Sequence, residues 1–249
     1  VTSSAGIAIA SSFFDALPAT FVKFYRERFT NSKMIYGHWS LGRYSRAVGS
    51  YHRQIAVAEP ADLDALIDKY WEARTRRVGG AIAGLYHDIE EHKKKASIQV
   101  FSNATYDEDL PDHTPGREEN AVALAVMCGY KARPNDLGRS EPLPMQLRAL
   151  LRLITEVCIQ TNTPAEHFMT HSEAADNLDG AGVGDERYGF RGTRQVWDLE
   201  VWIEPVTMAT YAPLQSERPG WMRLGDWLRK EALRDIYKLT APQWQHAAL

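Results

Sequence analysis

The sequence predicts an α/β domain, a sheet with helices packed against it. Two observations carry this. The run Ala121-Val-Ala-Leu-Ala-Val-Met-Cys-Gly129 is continuously apolar and bounded by loops, which fits a strand covered on both faces at the centre of a sheet; a buried helix segment is the competing reading. Met145 to Gln160 instead carries Leu147, Leu150, Leu151, Ile154, Val157 and Cys158 on one helical stripe, with Pro142 and Pro144 at its start, and is the most clearly marked helix of the chain.

The remaining elements follow in order. Between Ser12 and Phe29 the residues Phe13, Leu17, Phe21, Phe24 and Tyr25 recur at helical spacing, and Pro18 divides them into two short helices. Lys33 to Gly42 is a short apolar strand that ends near Gly37 and His38, so a turn exposes the imidazole at the strand end. Ser50 to Val57 alternates as a second strand, which sends Tyr51 and His52 to opposite faces. Pro60 to Arg77 is a helix with proline in its first turn and Arg74, Arg76 and Arg77 at its end. Gly79 and Gly80 are expected to break the chain before a helix or loop over 81–95. Ser97 to Phe101 is a third strand, and 103–120 is rich in turn residues. Near the end, Trp221 to Leu239 is an amphipathic helix.

Composition narrows the function classes. A chain of 249 residues buries a substantial core, and 44% hydrophobic with 24% charged residues is ordinary for a globular domain. A net charge of −3 offers no electrostatic case for nucleic acid and no help toward an anionic polymer. Cys128 and Cys158 lie inside apolar stretches, which predicts buried free thiols and excludes a disulfide scaffold. The opening VTSSAGIAIASSFF lacks a basic segment and is a poor signal peptide; a leader already removed stays open. No run reaches transmembrane length, so no membrane span is expected.

The stretch from His167 to Asp198 is where chemistry concentrates. His171 leaves a short apolar step and Asp198 stands beside Trp197, after a loop rich in Gly and Asp, which points to two metal ligands joined by a folded loop. Asp176, Asp179 and Asp185 do not follow EF-hand spacing, so that loop reads as polar surface rather than a calcium site.

Five pieces in order resemble the zinc-dependent N-acetylmuramoyl-L-alanine amidases, whose fold is shared with phage amidases and peptidoglycan recognition proteins. MIYGHWS is similar to the strand ending in the first zinc histidine, and SYHRQI to the Tyr-His strand after it. DHTPGREENAVALAVMCG resembles the histidine-containing loop and central strand, and LPMQLRALLRLITEVC the helix across the sheet. MTHSEAA and VWDLEVW resemble the second histidine and the final acidic ligand.

The resemblance implies one catalytic domain with a central mixed sheet flanked by helices. Its core spans about 33–203, with extra N-terminal helices, a helical insertion over about 58–97 and a C-terminal helical extension over about 206–249. It implies Zn2+ held by His38, His171 and Asp198, a set of two imidazoles and a carboxylate that suits zinc better than magnesium or calcium. His167, four residues before His171, shares a face with it only on a helix; on a strand the two stand about 13 Å apart, and Pro164 favours a turn into a strand. Tyr51 matches the tyrosine that serves the site in short phage amidases. Ala125 stands where other branches carry a catalytic Glu, and Val196 where a basic residue is expected, which leaves Arg194 as a substitute. His113, Thr114, Arg117 and Asn120 are expected along the substrate groove, and Glu173 either as an acceptor orienting a ligand imidazole or equally as a helix-starting acid.

The expected reaction is hydrolysis of the amide between N-acetylmuramic acid and L-alanine in peptidoglycan, in cell-wall lysis or remodelling. A phage endolysin, a wall-remodelling enzyme and an antibacterial effector are all compatible settings, reached by lysis or a dedicated delivery route. A non-catalytic peptidoglycan-binding module of the same fold is the alternative, usually marked by loss of a ligand.

Overall fold

The computed structural model describes residues 7, 9, 11–40, 42–45, 51–110, 114, 117–133, 136–175, 201–211 and 220–246. In chain order, α1 (Ser11–Asp15) and α2 (Ala19–Arg28) precede β1 (Met34–Trp39) and β2 (Arg53–Val57). Next come α3 (Pro60–Thr75), α4 (Gly79–Lys95), β3 (Ile98–Ser102), β4 (Ala121–Val126) and α5 (Pro144–Thr161). A 3-10 turn over Ala165–His167 leads into β5 (Phe168–Thr170) and α6 (His171–Ala175). Beyond them lie β6 (Trp202–Ile203), β7 (Thr210–Tyr211), β8 (Met222–Arg223), α7 (Leu224–Leu239) and α8 (Ala241–His246).

The protein is α/β, with a mixed central sheet of five strands in the order β3-β2-β4-β1-β5. β2, β4, β1 and β5 run parallel and β3 is antiparallel to β2. β4 sits in the middle with all its residues buried, as its unbroken apolar run predicts for a strand covered on both sides. A second, smaller sheet, β7-β6-β8, was not visible in the sequence because its strands are two residues each, too short to show a period.

Alternation along the strands separates two faces. Ile35, Ile55, Val57, Val122, Leu124 and Val126 join one large core with Leu147, Leu150, Ile154 and Val157 of α5. α2 adds Phe21 and Tyr25, and α7 adds Leu228, Leu233 and Ile236. Gln146, fully buried at the start of α5, accepts the Leu143 N–H and donates to Ile55 O and Met127 O, so the helix is hydrogen-bonded to the middle of β2 and to the residue just past β4. Opposite this core, Met34, Tyr36, Ala121, Met169 and Ala174 form one small cluster and Ala56, Ala125 and Met127 another.

Residues 58–97 form a helical hairpin joining the antiparallel neighbours β2 and β3, and Leu63, Ile67 and Ile89 anchor it in the core. Gly79 and Gly80 do not break the chain as expected. They open α4, and the reversal before them is made at Arg77, whose φ of 57° is left-handed. The C-terminal helix begins later than expected, because Met222 and Arg223 pair with β6 before α7 starts. Cys128 and Cys158 are buried free thiols, and burial pushes the Cys158 pKa upward. Among the described residues no helix is long and apolar enough to cross a membrane.

Candidate functional site

Two histidines meet at the C-terminal ends of adjacent parallel strands. β1 brings His38 onto the face away from α5, in the alternation that places Met34 and Tyr36 there. Because Gly37 is in register with Thr170, His38 is level with the next residue along β5, which is His171. The strand stops at that point and His171 opens α6.

The two imidazoles are buried, with 1% and 4% of their surface exposed, and their Nδ1 atoms are 3.3 Å apart. Two nitrogens bound tetrahedrally to one zinc at about 2.0–2.1 Å stand about 3.3–3.4 Å from each other. The separation is therefore the one a shared tetrahedral cation would need. His38 Nε2 lies 3.3 Å from Thr114 Oγ1, which fixes the tautomer when the ring donates there and leaves the Nδ1 lone pair facing His171. Thr114, expected along a groove, is thus a buried partner of the His38 imidazole.

The sheet face beside this pair mixes alanines with larger residues. Across the sheet, Phe101, Gln54, Ala125 and His38 share one register row. Tyr51 packs on the cluster of Ala56, Ala125 and Met127, and its ring lies 5.4 Å from that of His38. Ala125, at the position where a Glu was noted as missing, leaves room for that ring. His52 turns away, as the alternation predicts: its Nδ1 accepts the Ala123 N–H and its Nε2 donates to Glu108 O.

The other expected residues divide. Arg117 is buried and its N–H closes a turn onto Thr114 O. Asn120 stands at the opposite end of β4, five residues before Ala125 and so roughly 16 Å along the strand. It takes a left-handed φ of 52° and links Asp109 and Ser32, a turn-forming task rather than a groove contact. His167 points elsewhere, with Nδ1 on Lys33 O.

Glu173 does not reach an imidazole. One carboxylate oxygen accepts the Thr170 N–H and Thr170 Oγ1 accepts the Glu173 N–H, a reciprocal capping box around His171, while Arg229 takes both oxygens. The Thr-x-x-Glu spacing was the signal in the sequence for that box. Nothing comparable marked Arg229.

Asp198, Arg194, Val196 and His113 lie outside the described residues. Among the described residues no group of three or more His, Cys, Asp or Glu is arranged to hold a metal, so the histidine pair is the part of the expected set brought together here. Comparison with models of known families, with curated proteins and with solved structures finds no match.

Proposed function

We propose that the protein is a zinc-dependent hydrolase of the amidase fold, cleaving the amide between N-acetylmuramic acid and L-alanine in peptidoglycan. The observation that carries the reading is the 3.3 Å between the Nδ1 atoms of His38 and His171, the spacing a tetrahedral zinc requires. Asp198 is proposed as the third ligand. When bound, zinc supplies Lewis acidity, acidifying a water and polarising the carbonyl under attack.

The chain's own groups divide the remaining work. Thr114 holds the His38 ring through Nε2. Tyr51, whose ring lies beside that of His38, would steer a water or donate to the developing oxyanion, and Arg194 is the proposed cationic donor.

Metal analysis joined to a digestion assay tests this. Purified protein is expected to carry about one zinc, to lose it on Asp198→Ala, and to release L-alanine amino termini from peptidoglycan in an EDTA-sensitive manner. Zinc without new amino termini would favour the binding module, and no zinc would end both readings. Tyr51→Phe is expected to lower turnover by about 10²–10⁴-fold, the range one proton-transfer group contributes, with zinc retained.

A further inference from the structure

The C-terminal helix reaches into the site's frame. Arg229 of α7 is almost wholly buried and meets the β5–α6 corner at both of its ends. Its Nη1 donates to Phe168 O at 3.0 Å, at the start of β5, and to Glu173 Oε2 at 2.9 Å; its Nη2 donates to Glu173 Oε1 at 2.8 Å and to Asp226 Oδ1 at 2.7 Å. Between Phe168 and Glu173 lies His171.

The carboxylate held this way is the one that closes the capping box, with Glu173 Oε2 accepting the Thr170 N–H at 2.8 Å. The backbone on both sides of His171 is therefore tied to a planar, two-pronged cation, a geometry that lysine cannot reproduce. Gly225, one turn before Arg229, supplies the matching space: a Cβ there would fall 2.5 Å from both Glu173 oxygens. Those oxygens are pinned by Arg229 and Thr170, so they cannot swing aside without releasing the box.

We propose that Arg229, with Gly225, is a positioning residue for His171, setting through Glu173 the angle at which its imidazole faces His38. This rests on the zinc reading for its purpose, though not for its geometry. The helix is then part of the candidate centre rather than a covering added to it.

The test measures zinc affinity by chelator competition and thermal stability of the metal-free protein in the same variants. Arg229→Met is expected to weaken zinc by about 10–100-fold, the range for removing a group that orients a ligand, with Arg229→Lys between it and the parent. The double variant Glu173→Met/Arg229→Met replaces the buried pair with apolar volume, so it is expected to recover melting temperature and not zinc affinity. Gly225→Ala, which ordinarily favours a helix and keeps every charge, is expected to weaken zinc as well. Unaltered zinc affinity in Arg229→Met, or full recovery in the double variant, would overturn the proposal; if Arg229→Met does not fold, the double variant and Gly225→Ala decide.

Imidazole NMR of the metal-free protein separates this from failure of the zinc reading. The His171 signals are expected to move in Arg229→Met while those of His52, held by Ala123 and Glu108, stay. A parent protein that binds no zinc would end the zinc reading, and the NMR comparison would still judge the brace: His171 signals moving no more than those of His52 would overturn it.

Discussion

The two faces of the central sheet are built from different materials by the same strands. Toward α5 the strands present Ile35, Ile55, Val57, Val122, Leu124 and Val126, which fill a continuous core with the helices. Toward the other side they present Tyr36, His38, Gln54, Ala56, Ala121 and Ala125. Branched aliphatic side chains on one face fill the main core, and the other face carries His38 among small, polar and larger residues such as Met34 and Tyr36. Because side chains alternate along a strand, each of β1, β2 and β4 serves both faces without an extra residue.

The contrast can be broken from either side. His38→Ala is expected to have the largest effect, removing zinc binding and amide hydrolysis together while the metal-free fold persists, seen by metal analysis beside circular dichroism. Leu124→Ala removes volume from the opposite face and is expected to cost about 2–5 kcal/mol in urea unfolding, with zinc stoichiometry unchanged. Ala125→Leu inserts bulk where Tyr51 packs. A cost of about 1–3 kcal/mol is expected, together with a drop in turnover from displacement of the tyrosine ring; a stable variant with full turnover would show that Ala125 has no bearing on the site.

The smallest effect concerns pH. His52 lies behind Tyr51, and burial lowers its pKa from the ordinary 6.5. The unfolded chain therefore takes up a proton at a higher pH than the folded one. The stability contributed by neutral His52 is fully present above 6.5 and is lost as pH falls from there through the depressed folded value. Urea midpoints measured down this range are expected to fall, and His52→Gln to flatten the dependence.

The elements that carry this division were largely legible. The unbroken apolar run of β4 and the leucine stripe of α5 both announce burial directly, and the proline at the head of each of α3 and α5 marks its helix start. His38 and His171 were also singled out, because a histidine at the end of a short strand is a local pattern. Asn120 was misplaced for an equally local reason: a turn residue and a groove residue look alike when the end of the strand they sit on is unknown.

Arg229 was illegible for a different reason. It lies 56 residues beyond Glu173 on a helix whose amphipathic pattern accounts for it as one more charged position. Its burial is visible only once α7 is laid against β5. Gly225 is silent in the same way, since a glycine in a helix carries no sign of the carboxylate that needs its space.

By itself, then, the sequence determined the periodic elements, the α/β class and the residues capable of binding a metal, because hydrophobic period and side-chain chemistry are properties of short segments. Tertiary structure alone decided that two imidazoles 133 residues apart face each other at 3.3 Å, and that a helix near the C-terminus holds the carboxylate two residues beyond one of them. Strand register and the burial of an ion pair depend on packing among distant segments.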